Sequence, residues 1–216
     1  HAEERDPRDR PASSLRRLPV THAWQVPGQT PLPLVHVLAN GRLATVITNS
    51  GGGYSQLNDL ALTRWRNDTD RDRGTTWAAS SQPLGDATGH EEVLFHPHMA
   101  EFRRHVHDIS LHTAMTVAPD DDVEIRLLTL TNDSDTRRVL QLTTYGEVVL
   151  APPAADQHHP AFTKLFVEST PLPTGNGIMF QRRPRAAHEQ PYCLVHMLVT
   201  PPQAAFEGVT WESDRA

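Results

Sequence analysis

The stretch from residue 109 to 150 constrains this chain most. Ile109, Leu111, Met115 and Val117 fall on one face of an extended backbone, and Ser110, His112 and Thr116 fall on the other. That period of two is the mark of a half-buried strand. Asp120-Asp121-Asp122 after Pro119 makes a turn, and Val123, Ile125 and Leu127 alternate along the next run to Thr131. Asn132-Asp133-Ser134-Asp135 turns the chain again, and Val139 to Leu150 returns as a long strand. Three consecutive strands joined by polar turns form a meander. No window carries a helical apolar stripe of ten residues or more.

The same reading extends outward. Leu34 to Leu38 and Leu43 to Thr48 flank Asn40-Gly41, a pair that tolerates positive φ and predicts a hairpin. Later strands are expected at Phe162–Val167, Ile178–Arg182 and Tyr192–Thr200. Many short strands with turn chemistry between them predict an all-β sandwich or barrel. Residues 1–20 are charged and Pro-bearing, and they read as a linker with a short helix at Ala12–Leu18. Residues 21–216 read as the β-sandwich domain.

Charge and cysteine usage narrow the function classes. A formal net charge of −6 over 216 residues gives no basic footprint for nucleic acid. The single cysteine, Cys193, lies in an apolar run, predicts a buried inert thiol, and permits no intrachain disulfide. No apolar run approaches the length of a membrane-spanning helix, so direct membrane insertion is not expected.

Candidate chemistry centres on Thr48 to Ser55 and Leu62 to Asp68. Gly51-Gly52-Gly53 follows a strand and allows close backbone approach. It lacks the Lys-Ser/Thr of a phosphate-binding loop and the spacing of a dinucleotide fingerprint, so no nucleotide cofactor is expected. The alternative is a tight loop that sets Tyr54 and Trp65 at a surface. Their rings suit the C–H face of a sugar, and Arg64, Arg66, Asn67 and Asp68 offer hydrogen bonds to hydroxyls. The candidate carbohydrate contacts are therefore Tyr54, Arg64, Trp65, Arg66, Asp68 and Trp77. Burial of Tyr54 and Trp65 in the core is the competing reading.

Other patterns fail their own tests. Asp68-x-Asp70-x-Asp72-x-Gly74 lacks the glycine and glutamate positions of a calcium loop. His96-x-His98, His105-x-His107 and His158-His159 lack a matching third ligand, so no metal is expected. Glu91, Glu92, Glu101, Glu124, Glu147, Asp156 and Glu168 are scattered, with no pairing of the kind a glycosidase needs, and no catalytic residue is assigned.

Several segments together resemble one family. They are Val37 to Arg42, Val46 to Ser55, Leu62 to Arg66, Val117 to Asp122, Thr144 to Asp156, His159 to Val167 and Arg182 to Arg185. Across residues 20 to 200 they look like the β-sandwich domain of cyclic β-1,2-glucan synthases. A related domain precedes the helical barrel of cellobiose and chitobiose phosphorylases. The run Glu147-Val-Val-Leu-Ala-Pro-Pro-Ala-Ala-Asp156 points to the synthase branch.

The resemblance implies a two-sheet antiparallel supersandwich, galactose-mutarotase-like. It implies a non-catalytic carbohydrate-binding or barrel-docking module, whose partners would be the (α/α)6 barrel of its own parent chain and a β-glucan oligosaccharide. The parent would be a glycosyltransferase or glycoside phosphorylase-type enzyme. If it is a synthase, it would be bound to the inner membrane with this soluble module on the cytoplasmic side. A departure follows Arg73-Gly74, where Thr75 to Pro83 replaces the family's aromatic hairpin. A purely structural scaffold is the second expectation. A self-contained epimerase, with His112 or His196 set against Glu147 or Glu168, is the third.

Overall fold

The structure, a computed structural model, describes residues 22–64, 90–185, 189, 191–202 and 206–211. The Asn40-Gly41 hairpin shows how the sequence builds it. Gly41 takes a φ of 93°, open to glycine at little cost. The Asn40 side-chain oxygen accepts hydrogen bonds from the backbone of Arg42 (3.0 Å) and Leu43 (2.9 Å). Its amide nitrogen donates to the carbonyls of Ala118 (2.9 Å) and Asp121 (2.8 Å). One side chain thus closes a hairpin and pins it to the turn of another sheet.

Strands β1 (Trp24–Val26), β6 (His90–His96), β7 (Met99–Val106), β8 (Ile109–Val117) and β9 (Glu124–Asn132) form a five-stranded antiparallel sheet in the order β1-β6-β7-β8-β9. Strands β2 (Val35–Ala39), β3 (Leu43–Thr48), β4 (Gly53–Leu57), β5 (Leu60–Arg64) and β10 (Glu147–Ala151) form the second, in the order β10-β5-β4-β3-β2. The two pack face to face over Leu38 and Ile47 from one side and Val93, Phe95, Ala100, Phe102 and Met115 from the other. A three-stranded sheet of β11 (Val167–Pro171), β12 (Gly177–Arg182) and β13 (Cys193–Met197) extends the sandwich. Val167, Phe180 and Leu194 rest on the second core of Leu43, Leu60, Leu62 and Leu150. The chain is thus the antiparallel all-β sandwich that alternation predicts, with a small third sheet added.

Three local expectations are corrected. The stretch Phe162–Val167 is not a strand. Chain continuing from β10 forms two short helices, α1 (Pro153–His158) and α2 (Pro160–Lys164), each with proline in its first turn. Proline there is preorganised for a helix and gives up no needed N–H, and helices this short show no periodicity in sequence. The strand expected from Val139 begins only at Glu147, because residues 137–146 pair with no other strand among the described residues. Cys193 is exposed rather than buried. Its neighbour Leu194 takes the core-facing position on β13, which turns the thiol outward.

The glycine run closes the β3–β4 hairpin. The Thr48 amide donates to the Gly52 carbonyl at 2.8 Å and the Gly51 amide to the Thr48 carbonyl at 2.9 Å. Its peptide groups are spent on chain reversal. The linker at 1–20, the acidic run 68–74 and the departure after Gly74 lie outside the described residues.

Candidate functional site

Arg64 ends β5 on the side that carries Leu60 and Leu62 into the core. Its cross-strand neighbour on β10 is Glu147. After Val148 the ladder breaks in a bulge, and Leu150 adopts a φ of 50° while fully buried. This irregularity turns the chain from β10 into α1 and brings Asp156 to the same guanidinium. Arg64 Nε donates to Asp156 Oδ2 at 2.7 Å, Nη2 donates to Asp156 Oδ1, and Nη1 donates to Glu147 Oε2 at 3.1 Å. The side chains of Arg64 and Glu147 are 14% exposed and that of Asp156 12%. Thr163 of α2 donates to Asp156 Oδ1 at 3.0 Å, and Arg182 of β12 donates to the Thr163 carbonyl at 3.3 Å.

The hydrogen bond to Asp156, with both carboxylate charges nearby, raises the Arg64 pKa above its ordinary value despite burial. A fork geometry matched to a carboxylate is among the stronger side-chain pairings. Every edge of this guanidinium already faces an acid, so the arrangement ties a strand, a bulge and two helices together.

Tyr54 sits differently. It lies on the outer face of β4, 39% exposed, with Val46 as its cross-strand neighbour and Val37 beyond. Val37 is 53% exposed. The row Val37–Val46–Tyr54 is an apolar stripe across three strands. Tyr54 and Arg64 therefore do not converge, since one faces out and the other is buried in an ion-pair cluster. Trp65, Arg66, Asp68 and Trp77 lie outside the described residues.

Two further carboxylates are held inside polar clusters. Glu101 on β7 accepts from Arg103 at 2.9 Å, lies 3.0 Å from His112 Nε2, and has His96 Nε2 at 3.1 Å from its other oxygen. Glu124 on β9 accepts from Thr45 (2.8 Å), Ser55 (2.6 Å) and Arg126, joining the two large sheets. Burial alone would push both carboxyl pKa values up. For Glu101 the bonds from His112 and Arg103 outweigh it, and for Glu124 the charge of Arg126 and the two hydroxyls do. Both carboxyls are held below the ordinary value. A general acid needs the opposite shift.

The imagined acid–base pairs do not form. His112 faces Glu101, while His196 Nε2 lies 2.9 Å from the Thr144 hydroxyl. Sequence reasoning had Glu147 and Asp156 only as scattered acids. The usable signal was the Glu147-to-Asp156 run, whose two ends are the partners of Arg64.

These clusters set a pH dependence. Burial lowers the pKa of His36, stacked on Phe95 at 4.7 Å, and of His196, where the Arg126 charge adds to it. A histidine with a lowered folded pKa favours the fold above its ordinary 6.5 and loses that contribution as pH falls toward the folded value. Glu101 and Glu124 favour the fold above their ordinary 4.5, and the contribution goes as pH drops through their lowered values. All four have the same sign. The melting temperature should be level near neutrality, decline below about pH 6.5, and decline again below about pH 4.5. A melting temperature that rises on acidification from pH 7 to 5 would contradict this.

Among the described residues no three His, Cys, Asp or Glu side chains gather as a metal site, and no helix is long and apolar enough to cross a membrane. The fold and its ion-paired interior define a multi-sheet antiparallel β-sandwich domain. Its family is specific: residues 19–216 match the supersandwich domain of glycosyl hydrolase 94, and the chain belongs to that family. It is also 31% identical over 192 residues to the cyclic beta-(1,2)-glucan synthase NdvB of Rhizobium meliloti (strain 1021). That match covers 83% of this chain but only 7% of the length of the synthase.

Proposed function

We propose that this chain is a non-catalytic module of a cyclic β-1,2-glucan synthase-type enzyme, docked on the helical catalytic barrel of its parent and offering a carbohydrate contact around Tyr54. The family and the likeness to a synthase support the setting. The observation that carries the role is the apolar row Val37–Val46–Tyr54 on the outer face of the second sheet. Flat apolar surface with one aromatic ring suits the C–H face of a glucose unit, or an apolar protein face. The buried carboxylates, held ionised by arginine and hydroxyl donors, fit a supporting role better than an acid–base one. In a membrane-bound parent the module would lie on the cytoplasmic side.

Calorimetric titration with β-1,2-glucan oligosaccharides tests the contact. Binding in the millimolar range is expected, and Tyr54→Ala should weaken it about tenfold, the loss of roughly 1.4 kcal/mol, with the melting temperature unchanged. Heat of binding that is the same in Tyr54→Ala would remove Tyr54 from the site. No binding to the unsubstituted domain would leave the scaffold role, which the Arg64 cluster favours by tying its elements rigidly together.

A further inference from the structure

The outer face of the first sheet carries a groove on the side of the sandwich away from Tyr54. Strand register builds it from two cross-strand rows. One row is Glu92–Arg103–His112–Thr129, from β6 to β9, and the next is His105–Ser110–Thr131, from β7 to β9. Their chain neighbours Val93, Phe102 and Leu111 are buried in the core, so both rows point away from it. Together the rows line a pocket of about 280 Å³, near the lower end for small-molecule sites.

The charges of the groove are already matched within the chain. Arg103 reaches Glu92 at 3.2 Å and Glu101 at 2.9 Å, and Glu101 also holds His112. His105 Nδ1 lies 3.1 Å from the Ser110 hydroxyl and 3.4 Å from Asp133. Each imidazole spends one nitrogen in these contacts. His105 Nε2, His112 Nδ1 and the hydroxyls of Thr129 and Thr131 have no partner among the described residues. A hydroxyl donates and accepts, and a neutral imidazole nitrogen does one or the other by tautomer. These groups spread over two strand spacings and one two-residue step, a patch of about 10 by 7 Å. The adjoining row on the same face ends in Ala114 and Leu127, and Leu127 is 62% exposed.

The geometry points to a second carbohydrate site here, for a neutral saccharide of roughly one or two rings. An anion would need an unpaired cation, and Arg103 is held by two carboxylates. A sugar instead offers hydroxyls that match donors and acceptors of either kind, and its C–H face suits Leu127. Glu101, its side chain only 8% exposed, sits beneath and fixes both His112 and Arg103, so the groove is set before any ligand arrives. The choice of a glucan as that saccharide rests on the reading of the chain as a synthase-type module. The site itself is separate from the Tyr54 contact, because the two lie on opposite outer faces of the sandwich.

Amide-resolved NMR titration of the chain with a β-1,2-linked glucose disaccharide tests the groove. Shift changes should gather at residues 103–105, 110–112 and 129–131 and saturate in the millimolar range. Thr129→Val keeps the shape of the side chain and removes its hydroxyl, and His105→Ala leaves the Glu101 cluster intact. Each should weaken the affinity read at these amides about three- to tenfold, the worth of one hydrogen bond, with the rest of the spectrum unchanged. Inorganic phosphate at the same concentration should leave the groove amides still. Groove amides that do not move at about 50 mM disaccharide, well past a millimolar dissociation constant, would overturn the inference. So would an affinity that is the same in both variants, or a response to phosphate stronger than that to sugar, which would make this an anion site. Shifts confined to the surroundings of Tyr54 would sink the groove and keep the Tyr54 contact. Groove shifts that survive Tyr54→Ala, with none around Val46, would do the reverse.

Discussion

Replacing Arg64 by alanine should destabilise the domain by about 3–5 kcal/mol, the usual cost of removing one partner from a buried ion pair. The variant leaves Asp156 and Glu147 facing each other with side chains only 12% and 14% exposed. Thr163 still donates one hydrogen bond to Asp156, which cannot replace a guanidinium. The damage should be local in origin and wide in effect, because Arg64 joins β5 to β10 and α1. Thermal unfolding should show a melting temperature lower by about 10 °C or more. The triple variant Arg64→Met, Glu147→Leu, Asp156→Leu should recover much of the loss, since replacing all three charges by apolar side chains of similar volume avoids the desolvation cost. An Arg64→Ala protein that melts with the parent would show that the cluster is ornamental.

Gly53→Ala should be nearly as severe. A β-carbon built on Gly53 would lie 2.0 Å from the Val46 carbonyl oxygen and 3.2 Å from the Ile47 Cα, all backbone of the neighbouring strand. No side-chain rotation relieves such a contact, so β3 and β4 must separate where Ile47 faces Gly53. A loss of about 3 kcal/mol or more is expected. Gly41→Ala makes the control. A β-carbon there meets nothing within 4 Å, and the cost is only that of a positive φ of 93°, about 1–2 kcal/mol. Urea unfolding of the two variants should rank them in that order. Equal losses would mean that the glycine run matters for chain flexibility and not for close approach.

These two positions show what was legible in the sequence and what was not. Glycine after a strand announces close approach or a turn, and Gly51 to Gly53 turn the chain while Gly53 lies against β3. Alternation from Ile109 to Val117 announced a half-buried strand, and Ile109, Leu111 and Met115 are indeed in the core. Alternation at Val123, Ile125 and Leu127 looked the same, yet those residues are exposed. Periodicity reports that one face is apolar, not that anything covers it. The strand expected from Val139 failed for a related reason, since an extended segment becomes a strand only beside a partner.

The Arg64 cluster was out of reach because its charges are separated by nearly half of the domain in sequence. Asp156 is 92 residues from Arg64, and only the bulge at Leu150 brings them together. Tyr54 was readable as an exposed ring, but the company it keeps, Val46 and Val37, depended on strand register. Trp65, Arg66, Asp68 and Trp77 belong to the same sequence neighbourhood as Tyr54, and their place in any contact is a matter for sugar titration of their alanine variants.

The outward thiol of Cys193 has a practical meaning. The chain holds one cysteine, and it lies exposed on β13 opposite Gln181. A maleimide dye or nitroxide would therefore attach at a single address without any engineered residue. From that address, on the small sheet beside the two large ones, a spectroscopic ruler to a second label could report the spacing between this domain and whatever stands next to it.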